Sequence, residues 1–310
     1  MAKDLGQANG LVQKAVRAQV RAMRTQVDLV RAEDPDGIHD LRVASRRLRA
    51  ILTAHAKSFP KTKLGKLRKR IQRVTTVLGK PRELDVTLAL LERHRQMLHG
   101  SERYAINHVI RRVRAERAAQ CEAIAQGAAM VASPAFDRGV SGLLNGRYRA
   151  KDFRRTAAKH TRKRFAKLVA RYEQWRDGRT DASLHQVRIA FKKFRYTCEM
   201  YGPLYGRGMK TLIRQLKKAQ EALGDWHDYY LLRGYVTDAV ANAPPRAAKG
   251  MPGLLRAIDA RTRTLLGRFT RDAERFFAAS SQQEILAFLG SVCEDPAQPD
   301  SAEPRPAQAE

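Results

Sequence analysis

His39-Asp40-Leu41-Arg42-Val43-Ala44-Ser45-Arg46-Arg47-Leu48-Arg49 returns 146 residues later as His185-Gln186-Val187-Arg188-Ile189-Ala190-Phe191-Lys192-Lys193-Phe194-Arg195. The shared pattern is His-x-x-Arg-[Val/Ile]-Ala-x-basic-basic-apolar-Arg. Every basic position stays basic and every apolar position stays apolar. Neither copy contains Pro or Gly, so each can run as an α-helix. At about 100° per residue, His39, Arg42, Arg46 and Arg49 share one stripe. Leu41, Ala44, Leu48, Ile51 and Leu52 share the opposite one. The second copy sets His185, Arg188, Lys192 and Arg195 against Val187, Ala190, Phe194 and Cys198. Each helix thus has a core face and a continuous basic face. Solvated surface helices usually mix charge signs to gain i,i+4 pairs. Here four arginines accompany a single acid, Asp40, between His39 and Arg49. Such like charges repel unless an anion relieves them, so the face reads as a binding surface for a large polyanion.

The duplication runs further. Leu78-Gly79-Lys80-Pro81-Arg82-Glu83 answers to Leu223-Gly224-Asp225-Trp226-His227-Asp228 at an offset of 145. Each Leu-Gly is expected to close a helix, with glycine in the left-handed position after it. Pro81 and Asp225 then suit the first positions of the next helix. Ordinary corners explain the glycines but not a cation and an acid three and four residues after each of them. Before the first corner, Lys63, Lys66, Lys69, Arg70 and Arg73 recur at helical spacing opposite Leu64, Leu67, Ile71 and Val74. Before the second, Lys210, Arg214, Lys217 and Lys218 oppose Leu212, Leu216 and Leu223. Each half therefore offers two basic-faced helices in succession.

This doubled motif, each copy followed by a Leu-Gly corner, resembles the CHAD (conserved histidine α-helical domain) family. The resemblance covers roughly residues 5–292. It implies an all-α fold of two pseudo-symmetric helical bundles, about 5–146 and 147–292, whose basic helices face a central channel or cleft. It also implies binding of inorganic polyphosphate, and for some members a place on polyphosphate granules, among granule-associated proteins. The family motif falls here on His39, Arg42, Arg46, Arg47 and Arg49, and on His185, Arg188, Lys192, Lys193 and Arg195. Lysines replace an arginine pair in the second copy, which keeps charge but loses the bidentate fork. Some members carry a triphosphate-tunnel (CYTH) domain; its Glu-x-Glu-x-Lys signature is absent, so a stand-alone member is expected.

Composition agrees with an anionic partner. The chain has 310 residues, 43% of them hydrophobic, a formal charge of +29 and a pI near 10.7. Nucleic acid, anionic membrane and polyphosphate all answer to such a charge. Cys121, Cys198 and Cys293 are odd in number and far apart, which offers no disulfide framework and fits a reducing cytoplasm. The first ten residues hold no apolar signal core, and no window suits a membrane span. Residues 293–310 are rich in Pro, Ala and acids and read as a disordered tail.

The remaining pattern is helical throughout. Residues 7–31 read as an amphipathic helix with Leu11, Val16, Val20, Met23, Val27 and Val30 inside. Asp34-Pro35 starts the first motif helix, about 38–58. Helices follow near 62–78, 82–99 and 102–130, with a short one from Ser133-Pro134 to Asn145. The second half reads as 152–176, 183–201 closed by Gly202-Pro203, 207–223, 226–242, a loop at 243–253, then 253–279 and 282–292.

Polyphosphate offers oxygen acceptors and no bases, so gripping it needs Lys and Arg converging from several directions. The expected contacts are Arg42, Arg46, Arg49, Arg188, Lys192 and Arg195. Lys66, Lys69, Arg70, Arg73, Arg82, Lys210, Arg214, Lys217 and Lys218 extend them. His39 and His185, early in their helices, either donate to the anion or orient an arginine. The eight histidines show no ligand spacing with one another, Cys or carboxylates, so no metal or other cofactor is expected. Glu83, Asp85, Glu221, Asp225 and Asp228 could in principle hold Mg²⁺ for hydrolysis. They read instead as caps and ion-pair partners, without a P-loop or kinase signature, so the chain is expected to be no enzyme. The alternative is sequence-independent binding of DNA or RNA backbones. Aromatics do not interleave with the basic stripes as single-strand stacking requires, and Tyr196, Tyr201 and Tyr205 read as packing residues.

Overall fold

The structure, a computed structural model, describes residues 2–56, 59–145 and 153–293. The predicted tail beyond residue 293 and the boundary between the sequence halves lie outside the described residues, which contain helices and no strand. In chain order the helices are α1 (Ala2–Thr25), α2 (Val27–Arg31), α3 (Pro35–Ala54), α4 (Lys61–Val77), α5 (Gly79–Arg95), α6 (Gly100–Ala118) and α7 (Cys121–Ala132). They continue as α8 (Pro134–Leu144), α9 (Phe153–Gly178), α10 (Asp181–Val240), α11 (Pro245–Ala248), α12 (Met251–Phe276) and α13 (Ala279–Ser291).

The motif helices begin alike. Asp34 caps α3 by accepting from the Gly37 amide at 2.7 Å, and Pro35 takes the first position, where a missing N–H costs nothing. Thr180 caps α10 by accepting from the Ser183 amide at 3.2 Å. Each motif histidine is the fifth residue of its helix. The apolar stripes are buried as their spacing requires: Leu41, Ala44, Leu48, Ile51 and Leu52 on α3, and Val187, Ala190, Phe194 and Cys198 on α10. Each large aliphatic side chain so buried contributes roughly 1.5–3 kcal/mol. On α1 and α2 the inner stripe is Val12, Val16, Val20, Met23, Val27 and Val30; Val12 replaces the expected Leu11, one position along the helix.

α10 is a helical hairpin. Gly206 breaks it with a left-handed φ of 62°, three residues past the expected Gly202-Pro203 stop. The His185 and His227 rings lie 4.9 Å apart, whereas 42 residues of straight helix would separate them by roughly 63 Å. The Leu-Gly corners differ from expectation. Among the described glycines only Gly100 and Gly206 have positive φ. Gly79 is the first residue of α5, separated from α4 by Leu78 alone, and Gly224 lies within uninterrupted helix. Pro81 is therefore the third residue of α5, and Asp225 caps nothing. The expected helix at 102–130 is two, α6 and α7, and the loop after Ala243 contains the short α11.

Two apolar cores form. One gathers α1–α4, α7 and α8; the other gathers α9, α10, α12 and α13 together with α5 and α6. The α5–α6 pair of the first sequence half thus packs in the second core, against α10 and α12. Polar bonds pin this crossing: Lys80 Nζ donates to the Tyr235 hydroxyl at 2.6 Å, and that hydroxyl donates to Glu83 at 2.7 Å. The short α11 closes on the start of α6 without room for a side chain, since a Cβ on Gly250 would collide with the Ser101 carbonyl. Gly250→Ala is expected to lower unfolding stability by about 1–3 kcal/mol, because backbone must move to admit the methyl. A thermal melt matching wild type would contradict that packing.

Candidate functional site

The basic stripes of α3 and α10 meet at one cavity of about 330 Å³. α3 contributes His39, Arg42, Val43 and Arg46; α5 contributes Gly79, Arg82, Glu83, Val86 and Thr87. The first arm of α10 contributes Arg188, Lys192, Arg195 and Tyr196, and its second arm Gln220, Gly224, His227, Asp228 and Leu231. Corresponding positions of the two sequence copies both line it: Arg42 and Arg188, Arg46 and Lys192, Gly79 and Gly224, Arg82 and His227, Glu83 and Asp228. Both glycines would accept a Cβ. A Cβ on Gly79 would stand 3.4 Å from the Arg42 guanidinium, and around Gly224 there is open space.

The cations are held from behind and left open in front. Arg42 donates Nη1 to the Thr75 carbonyl, and Thr75 Oγ1 lies 3.0 Å from Ser45 Oγ, which itself donates to the Arg42 carbonyl. Arg82 donates to the Pro35 carbonyl at 3.3 Å. Arg195 lies 3.5 Å from Glu199 and over the Tyr196 ring. Yet the Nε atoms of Arg46, Arg188 and Arg195, Nδ1 of His227 and Oε1 of Gln220 are buried without a hydrogen-bond partner among the described residues. Unsatisfied buried polar atoms each cost about 1–3 kcal/mol, and five of them converge on one cavity.

Burial, and after it the crowding of like charge, shifts the titrations. Burial, then Arg188 and Arg46, push the Lys192 ammonium down to about 6. Burial, then Arg46 and Arg82, lower Arg42 to about 10. His227 falls to about 3 through burial and the nearby Arg188. His39 and His185 are lowered too, each first by burial and then by a neighbouring arginine, Arg82 and Arg188 respectively. Asp228 is raised by burial, against the opposing pull of Arg188 and Lys192. Burial among these cations therefore favours the neutral amine of Lys192.

Other expected residues lie elsewhere. Arg47 turns to Glu199 at 3.3 Å and lines a separate, largely apolar cavity between α1, α3 and α10. Lys193 is exposed and Arg49 half-buried, neither on the cavity wall. His185 stands behind the wall, its ring against His227. Lys66, Lys69, Arg70 and Arg73 on α4, and Lys210, Arg214, Lys217 and Lys218 on α10, are exposed and do not line this cavity. Lys218 lies 3.6 Å from Asp272. Sequence reasoning passed over Thr87, Tyr196, Gln220, His227 and Asp228 as wall residues. The cation and acid after each Leu-Gly pair were the signal for His227 and Asp228. Among the described residues no three His, Cys, Asp or Glu side chains converge as metal ligands.

The model of one family, the CHAD domain, matches residues 14–237. The chain belongs to the CHAD domain family. Solved structures agree on the fold. The CHAD domain from the plant Ricinus communis superposes with a TM-score of 0.59 at 23% identity, covering 91% of both chains. PptA from Streptomyces chartreusis gives a TM-score of 0.64 at 18% identity, covering 86% of this chain and 99% of its own. No curated protein matches this CHAD chain significantly. CHAD domains are associated in general with polyphosphate binding. No helix among the described residues is long and apolar enough to cross a membrane.

Proposed function

We propose that this protein is a binding module, not an enzyme, whose α3–α10 cavity grips inorganic polyphosphate. The carrying observation is the set of buried, partnerless Nε–H groups of Arg46, Arg188 and Arg195 around one void. Phosphate oxygens satisfy such donors, and their charge offsets the repulsion among the cations. A chain with one negative charge per phosphate suits a site walled from both motif helices. His39, Arg42, Arg82 and Lys192 complete the contact, and the exposed cations of α4 and α10 guide the chain on and off. Cytoplasmic residence and recruitment to polyphosphate granules follow from that grip as part of the proposal.

A second reading rests on those exposed cations. Lys66, Lys69, Arg70 and Arg73 are exposed at helical spacing, and binding of a nucleic-acid backbone there would be sequence-independent and steeply salt-sensitive.

Proton linkage tests the cavity reading. Lys192 titrates near 6 in the empty protein, and an enclosed polyanion favours its charged form. Binding at pH 7–8 is therefore expected to take up protons, and affinity to weaken as pH rises from 6 to 9. Calorimetry of long-chain polyphosphate in buffers of different ionisation enthalpy reads the uptake directly. Tight binding with no proton uptake would place the ligand outside the cavity.

A further inference from the structure

We propose that Lys192 is a nucleophilic lysine, and that acyl phosphates, captured as anions by the surrounding arginines, acylate it. The inference rests on the cavity being an anion site and adds a covalent fate for one of its walls. Three features carry it. Lys192 is the cavity's sole lysine, among guanidinium groups that do not acylate under such conditions. No ion pair holds its amine among the described residues, whereas Lys80 nearby is paired with Glu83 and Glu116. And the charges facing it are mostly positive. α3 presents His39, Arg42 and Arg46, and α5 presents Arg82 against Glu83. α10 presents Arg188, Arg195 and His227 against Asp228. That surplus, with burial, keeps the amine unprotonated near neutrality, the form that attacks carbonyl carbon.

The chemistry closes without a further reagent. The Nζ lone pair forms a C–N bond to the acyl carbon. The C–O bond to phosphate breaks, and inorganic phosphate leaves with the bonding pair. The proton released from nitrogen passes to solvent or to the Asp228 carboxylate on the same wall. The product is a neutral amide that removes one cation and fills part of the void, so acylation weakens polyanion binding.

The test is incubation of the full-length protein with acetyl phosphate, with site occupancies read by mass spectrometry between pH 6 and pH 10. Lys192 is expected to label at least about tenfold faster at pH 7 than the exposed Lys66 and Lys210. Its rate should flatten above pH 7, while theirs climb about tenfold per pH unit, as for ordinary amines. A neutral acetylating reagent should lose most of the selectivity, because it is not captured as an anion. Arg188→Gln should slow Lys192 labelling at pH 7 and move its profile upward. Labelling of Lys192 no faster than Lys66, in protein that still binds polyphosphate, overturns this inference and leaves the binding reading intact. Selective labelling that excess polyphosphate fails to block sustains the nucleophile and removes polyphosphate from the cavity.

Discussion

Arg46→Glu combined with Lys192→Glu is expected to abolish polyphosphate binding while the protein stays folded. The two residues occupy the same motif position in the two copies and face one cavity from α3 and α10. A hydrogen bond to a charged group contributes about 1.5–3 kcal/mol. Losing one at each position lowers affinity between roughly a hundred- and ten-thousand-fold, before counting repulsion between the new carboxylates and phosphate. Folding survives because each glutamate meets cations: Arg42 and Arg188 line the same wall. Helical circular dichroism and the melting temperature check the fold, and calorimetry checks the affinity. Retained affinity in a folded double mutant would mean that the wrong face has been assigned.

Lys192→Met carries the second large effect, and its sign is informative. In the empty protein Lys192 titrates near 6, far below its ordinary value of 10.5. The unfolded chain thus binds a proton that the folded chain refuses between those pH values. Stability contributed through this group grows as pH rises from about 6 towards 10.5 and is lost as pH falls. Methionine has similar length, fills the same space and needs no proton. A buried polar group without a partner costs about 1–3 kcal/mol, which an apolar residue of like volume removes. Lys192→Met is therefore expected to raise the apo melting temperature by several degrees at pH 6–7, to flatten its pH dependence, and to weaken polyphosphate binding at least about tenfold. A variant that melts lower than wild type at pH 6 would contradict the crowding that defines the site. Stability given up at a binding site is a common signature of function.

Much of the site was legible in the sequence because helical periodicity is local. The stripe His39, Arg42, Arg46 and its counterpart Arg188, Lys192, Arg195 needed only 3.6 residues per turn, and Asp34-Pro35 supplied a start signal that α3 obeys. The same arithmetic separates each basic pair: Arg46 and Arg47 differ by about 100° around the axis. One lines the cavity and the other lies beside Glu199. What sequence did not reveal is non-local. Glycine after leucine signals a left-handed cap, yet Gly79 and Gly224 are helical. The hairpin of α10 turns at Gly206 rather than at the nearby Gly202-Pro203, since local propensity marks a break only to within a turn. Nothing local tells α5 and α6 to leave the first half and pack in the second core. Gln220, His227 and Asp228 join the wall only because the second arm of α10 folds back.

Competition decides the account's central claim most directly. Calorimetry of long-chain polyphosphate at physiological salt, repeated in excess duplex DNA and then RNA, compares a polyanion without bases with two whose phosphates carry sugars and bases. The cavity account predicts that polyphosphate binds tightly, that neither nucleic acid displaces it, and that Arg46→Glu with Lys192→Glu removes the signal. Equal competition by DNA or RNA, persisting in the double mutant, would contradict it and give the site to the exposed cations of α4 and α10.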